Sequence, residues 1–146
     1  MRFAVFENNR IEATPGATGT CPSCENNLVA KCGPKKVWHW AHKGRRHCDH
    51  WWENETEWHR AWKNQFNLDW QEVPARDDEG ELHIADVKTP NGLVIEFQHS
   101  AIKAEEVRIR TQFYGEIIWI VDATRRPTDA KQYAEMLEYS LSLIHI

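Results

Sequence analysis

The run Leu82-His83-Ile84-Ala85-Asp86-Val87-Lys88-Thr89-Pro90-Asn91-Gly92-Leu93-Val94-Ile95-Glu96-Phe97-Gln98-His99-Ser100 decides how this chain folds. Two strand-like stretches, Leu82 to Thr89 and Leu93 to Ser100, flank the turn signal Pro90-Asn91-Gly92. Side chains alternate across a strand, so Ala85, Val87, Leu93, Ile95 and Phe97 share an apolar face while Asp86, Glu96 and Gln98 share the opposite one. A short turn here pairs residues whose numbers sum to about 182, which sets Asp86 directly across from Glu96. Two like charges side by side in a half-buried sheet call for a proton or a divalent cation. Oxygen donors with retained waters suit magnesium or manganese. The plainer alternative is a solvated sheet face with Lys88 as partner.

Working outward, Trp70 to Arg76 is a third strand, set off by Asp77-Asp78-Glu79-Gly80, so the three runs form an antiparallel meander. Asn54 followed by Glu57 is a helix start, and Trp58, Ala61, Trp62 and Phe66 recur at helical spacing over about residues 54–67. Lys103 to Tyr114 fits a second helix stopped by Gly115, and Ile117 to Val121 is an apolar run suited to a strand buried on both faces. Thr128 or Asp129 can cap a last helix through Tyr133 and Leu137. The order αβββαβα on a mixed sheet predicts an α+β fold. Ahead of it, Phe3 to Phe6 reads as a strand, followed by a Thr/Gly/Pro/Ala loop, with further strands at 28–31 and 37–42 around Gly33-Pro34. Residues 1–50 are thus expected to form a small β-rich module and residues 51–140 a second domain. Leu141 to Ile146 breaks the helical pattern and looks like the translation of a sequencing-library adapter, so it is expected to be a non-native tail on a naturally longer protein.

No apolar run in the 146 residues approaches the ~20 needed to span a bilayer, which argues against a membrane protein. Four Cys in a chain of this length do not make a disulfide scaffold, and the first ten residues lack a secretory signal, so a reducing cytoplasm is expected. The net charge of −4 argues against a wholesale nucleic-acid coat, but the charge is uneven. Between Lys31 and His50 six basic residues face one acid, whereas between Glu72 and Glu106 nine acids face three bases.

Cys21-Pro22-Ser23-Cys24 and His39-Trp40-Ala41-His42 give C-x2-C-x14-H-x2-H, two thiolates and two imidazoles able to close a tetrahedral shell around structural Zn2+. Cys32, His47, Cys48 and His50 are spare ligands. A redox reading of the Cys pair is weak, because no βαβ pattern surrounds it. Lys35, Lys36, Lys43, Arg45 and Arg46, with Trp38 and Trp40 among them, suit phosphate contact and base stacking; the alternative is a solvated basic loop around core Trp. A cation held by Asp86 and Glu96 would polarise a phosphodiester oxygen and activate water, the chemistry of a metal-dependent nuclease. Gln98 is placed to orient that water or bond the phosphate, without the charge of a lysine. Glu57 lies at the edge of the first helix's buried face and within reach of the site, although it also completes a capping box with Asn54.

Together, Cys-Pro-x-Cys, His-Trp-Ala-His, Glu-x-x-x-Glu-x-His with Lys63, Ile-Ala-Asp-Val, Ile-Glu-Phe-Gln-His-Ser and Ile-Ile-Trp-Ile-Val-Asp resemble the competence protein CoiA-like family over about residues 20–125. The resemblance implies a PD-(D/E)XK, restriction-endonuclease-like core behind a zinc-ribbon-like N-terminal segment. It matches Asp86 to the central acid, Glu96 and Gln98 to an E-x-Q form of the E-x-K motif, and Glu57 to the helix acid. Cys21, Cys24, His39 and His42 match the zinc-like positions. Trp40 stands where Phe is usual, and the chain stops where larger members continue. The expected function is a Mg2+- or Mn2+-dependent deoxyribonuclease whose zinc module positions DNA. The alternatives are a non-catalytic DNA-binding or recombination-mediator module on the same fold, and a zinc-stabilised adaptor whose Trp-rich segment is the interface.

Overall fold

Phe3–Phe6 (β1) turns back into Asn9–Glu12 (β2) through Glu7 and Asn8, whose φ angles are 47° and 63°. Two left-handed residues in a two-residue loop match the twist of the flanking strands. Thr18–Thr20 (β3), Asn27–Lys31 (β4) and His39–His42 (β5) complete an antiparallel sheet in the order β2-β1-β3-β4-β5. β2 and β3 lie in the stretch expected to be a loop; they are short and largely polar, so no apolar alternation marks them. Trp40 is fully buried on this sheet against Ala4, Cys21, Leu28 and Cys48, and its indole N–H donates to the Ile11 carbonyl at 3.0 Å. The computed structural model describes residues 1–44, 48–126, 128 and 131.

The second sheet begins after Glu57–Lys63 (α1) and a 3-10 turn at Leu68–Trp70. Gln71–Arg76 (β6), Leu82–Lys88 (β7) and Val94–Gln98 (β8) run antiparallel, then Ala104–Tyr114 (α2) crosses over to Ile117–Val121 (β9), which pairs parallel to β8. The order β6-β7-β8-β9 makes this a mixed sheet in an α+β chain. Pro74 is tolerated because β6 is an edge strand. β9 is the other edge, with Ile118 and Val121 exposed, so the expectation of a strand buried on both faces does not hold. The central strand β8 takes that place, buried at all five positions.

Val87, Ile95 and Phe97 form a second core with Trp58, Phe66, Trp70 and Ile120, while Leu82 and Ile84 pack against the first core and so join the two sheets. No helix among the described residues is long and apolar enough to cross a membrane. The expected last helix through Tyr133 and Leu137, the tail 141–146, and Arg45, Arg46 and His47 lie outside the described residues.

Gly19 shows how closely β1 and β3 approach: a Cβ there would meet Ala4 Cβ at 2.9 Å and the Val5 carbonyl oxygen at 3.1 Å. Gly19→Ala is expected to destabilise the protein by ~1–3 kcal/mol in a urea melt, whereas Gly33→Ala, with open space around it, changes little.

Candidate active site and metal centre

The side chains that α1 buries most fully are polar, while Trp58 and Trp62 pack partly exposed against Phe97. Thr56 caps the helix by accepting the His59 N–H at 3.3 Å, and the buried residues of α1 are His59 and Lys63, one turn apart, rather than the Trp stripe. Their partners are carboxylates. The Lys63 ammonium, 2% exposed, lies 2.9 Å from Glu55, 3.0 Å from Glu72 and 3.6 Å from Asp86. Burial disfavours the Lys63 charge, but Glu72, Glu55 and Asp86 outweigh it and hold its pKa above the usual lysine value. Burial likewise opposes ionisation of Glu72 and Glu55, and Lys63 holds both below the usual carboxylate range. Glu72 sits within β6 at φ 48°, a conformation that costs a non-glycine residue ~1–3 kcal/mol. Its carboxylate offsets this by accepting the backbone N–H groups of Arg2 at 2.7 Å and Phe3 at 3.0 Å.

The expected register is observed: Val87 pairs with Ile95 and Lys88 with Val94, both on the sum of 182. Just beyond Val87 and Ile95 the ladder stops, and Asp86 and Glu96 fill the split. Glu96 Oε1 accepts the Asp86 N–H at 3.1 Å, and Asp86 Oδ2 accepts the Phe97 N–H at 3.0 Å. Each carboxylate is therefore anchored by one oxygen and presents the other, Asp86 Oδ1 towards Lys63 and Glu96 Oε2 towards Arg110 Nη1 at 3.4 Å. Burial, with Asp86 alongside, pushes the Glu96 carboxyl well above its ordinary range; burial also raises Asp86, against the pull of Lys63. The Lys88 alternative fails because Glu96 and Gln98 are buried, at 5% and 2% exposure, and meet other partners.

One pocket gathers six carboxyl groups (Asp49, Glu53, Glu55, Glu72, Asp86 and Glu96) against Lys63, Arg110 and the N-terminal ammonium of Met1, 3.9 Å from Glu55, and a divalent cation would favour the ionised form of the two acids that burial raises, Asp86 and Glu96. Two carboxylates with the rest of the shell left to water are a donor set that Mg2+ accepts, and Asp86 and Glu96 are a pair on this pocket that could offer it. Gln98 Nε2 donates to Glu53 and, at 2.9 Å, to the Ser100 carbonyl. Because both partners are acceptors, the NH2 end must face them, and the Gln98 carbonyl oxygen is the end available to a water. Burial opposes ionisation of Glu53, but His59, Ser100 and Gln98 hold its pKa at about 2.

Glu57 does not join this site: it is exposed at the first turn of α1, and no capping box with Asn54 forms. The helix begins at residue 57 rather than 54, so Glu53 and Glu55, on the extended segment before it, bring their carboxylates in instead. Alternation along that segment was the available signal. Lys35, Lys36 and Lys43 are exposed and do not line the acidic pocket.

In the N-terminal sheet, Cys21, Cys24, His42 and Cys48 bring their donor atoms within 4.8 Å of one another. Cys21 Sγ lies 3.9 Å from Cys48 Sγ, and His42 Nε2 lies 3.4 Å from Cys24 Sγ and 3.5 Å from Cys48 Sγ. The edges of a tetrahedron with Zn–S and Zn–N bonds of ordinary length are roughly 3.5–3.8 Å, so the set fits Zn2+. The Ser23 N–H points at Cys21 Sγ at 3.4 Å, and Glu25, at φ 61°, closes the turn with its N–H on the Cys21 carbonyl. His39 is not part of the cluster; its Nδ1 faces the Val37 carbonyl at 2.8 Å. Residues three apart on a strand point to opposite faces, so His39 and His42 on β5 cannot converge, and Cys48 supplies the fourth donor.

Residues 7–50 match the family model for the competence protein CoiA, N-terminal domain, and residues 84–145 match that for the competence protein CoiA, nuclease-like domain. No curated protein and no solved structure matches the chain.

Two measurements check this geometry. Metal analysis should find about one zinc in the cysteine cluster, lost in Cys48→Ser and retained in His39→Ala. Lys63→Met should cost ~3–5 kcal/mol at neutral pH, because three carboxylates lose their buried cation. Glu72 and Glu55, whose pKa values are depressed, contribute above the ordinary carboxylate pKa, and Lys63, whose pKa is raised, contributes below the ordinary lysine pKa. The deficit of the variant should therefore be full between about pH 5 and 10 and shrink below about pH 4 as the carboxylates protonate.

Proposed function

We propose, for a chain that belongs to the CoiA-like competence protein family and carries its nuclease-like domain, a divalent-metal-dependent nuclease that cleaves DNA phosphodiesters. The observation that carries this reading is the split between β7 and β8, where Asp86 and Glu96 are each anchored by one oxygen and offer the other to an acid-rich pocket. On this reading residues 51–140 form a restriction-endonuclease-like core and residues 1–50 a zinc-ribbon-like module, working in a reducing cytoplasm that keeps the thiols available to metal.

Asp86 and Glu96 would hold Mg2+ or Mn2+, which when bound polarises the scissile phosphate and lowers the pKa of water. The remaining work falls to the chain's own residues. Gln98, its NH2 held by Glu53 and Ser100, turns its carbonyl oxygen to accept a proton-bearing edge of the attacking water and so sets its direction. Glu53 stays ionised and keeps that amide in place, with His59 3.6 Å away on its other oxygen. Lys63 supplies the positive charge that Gln98 lacks, but its burial confines it to orienting Asp86. Exposed Lys35, Lys36 and Lys43, with exposed Trp38 beside them, suit phosphate contact and base stacking, and Arg45 and Arg46 extend the same basic run of sequence.

A second reading, DNA binding without turnover, is favoured by one observation: the free oxygens of both acids face Lys63 and Arg110, as a charge-balanced structural site would have them. Cleavage assays separate the two. Purified protein should nick or degrade DNA with Mg2+ or Mn2+ and stop with chelator. Asp86→Asn and Glu96→Gln should each lower the rate roughly a thousandfold or more while retaining zinc and cooperative melting. Salt-dependent DNA binding with no cleavage by the wild type would establish the binding module instead.

A further inference from the structure

A third group of metal-ligating side chains, next to the acidic pocket, uses donor atoms that neither centre uses. His83 on β7 is fully buried, stacked face to face on Trp51 with ring centroids 3.2 Å apart and met edge-on by Phe113 at 4.8 Å. Its Nδ1 lies 3.1 Å from Asp49 Oδ1, an oxygen that also accepts the Trp51 N–H at 3.0 Å. Its Nε2 points outward, 2.9 Å from Glu81 Oε1, and His50 Nε2 approaches the same oxygen at 3.8 Å. One donor atom from each of His50, Glu81 and His83 falls within 4.8 Å of the others.

We propose that His50, Glu81 and His83 form a third metal site, for a borderline divalent transition ion such as Zn2+ or Co2+, with Asp49 as the carboxylate that orients His83. Two imidazoles and one carboxylate are the donor set of three-ligand sites that leave a position open to water, and they disfavour Mg2+. The carboxylate on His83 Nδ1 holds that nitrogen as the N–H donor, so Nε2 carries the lone pair a metal takes. Burial fixes the imidazole, while exposed His50 and Glu81 leave the ion a route in. The site shares no donor with the cysteine cluster or with Asp86 and Glu96. It would tie the segment bearing Cys48, Asp49 and Trp51 to β7; the Trp51 carbonyl in turn accepts from Arg110, the partner of Glu96.

The test adds Co2+ to the protein with zinc retained in its cysteine cluster and follows the visible spectrum and bound-metal stoichiometry. The expected result is one Co2+ beyond the zinc and beyond any ion that Asp86→Asn removes, with weak d–d bands and no thiolate-to-cobalt charge transfer. Affinity should fall at least tenfold in His50→Ala and in Glu81→Gln, and tenfold to a hundredfold in Asp49→Asn. His50 and Glu81 are exposed, so the first two variants keep the test independent of whether a change at buried His83 folds. No cobalt uptake beyond the zinc would overturn the proposal and leave His83 as a hydrogen-bonded partner of Asp49 and Glu81. So would charge-transfer bands alone, or uptake that survives His50→Ala and Glu81→Gln but disappears in Asp86→Asn.

Discussion

An ammonium sealed among carboxylates is tolerable only if every partner is held in place, and Lys63 imposes that condition on much of this molecule. Glu55 comes from the segment before α1, Glu72 from β6 and Asp86 from β7, so one cation ties the helix to two strands. Glu72 extends the tie to the N-terminal sheet by accepting the N–H groups of Arg2 and Phe3, and it adopts a left-handed backbone within a strand to do so. Desolvation makes such an arrangement a weak source of net stability, but it makes misplacement of any member costly. The network specifies geometry more than it adds free energy.

That geometry is spent where β7 and β8 part. Backbone N–H groups freed by the end of the ladder are taken by the opposing strand's carboxylate, which aims Asp86 and Glu96 without flexible intermediaries. Both acids are pushed towards protonation by burial, whereas Glu53 close by stays ionised on its hydrogen bonds. Neighbouring carboxyl groups are thus pushed in opposite directions for stated reasons, a pattern concentrated at functional sites.

Much of this was legible beforehand, and the failures have physical causes. The Pro90-Asn91-Gly92 turn with the shared parity of Ala85, Val87, Ile95 and Phe97 sets the register that brings Asp86 opposite Glu96, and Gly115 ends α2 where expected. β2 and β3 escaped because their few residues are polar and their pairing depends on strands distant in sequence. His39 is singled out by motif spacing and by the family resemblance; strand parity separates it from His42 and admits Cys48. Glu57 is singled out by its place at the edge of the expected buried face and by the family resemblance, but Thr56 caps the helix and the acids that line the pocket are Glu53 and Glu55. A stripe of His59 and Lys63 as the buried face of a helix has no apolar signature, since each depends on partners from other elements.

The account stands on Asp86 and Glu96 forming one cation site across the strand split. Crystals of the zinc-containing protein soaked in Mn2+ test it most directly, by anomalous scattering. The account predicts a manganese peak about 2.1 Å from one oxygen of each carboxylate, with water completing the shell and Lys63 still against Asp86. Manganese bound elsewhere at saturating concentration, with both acids still directed at Lys63 and Arg110, would contradict it.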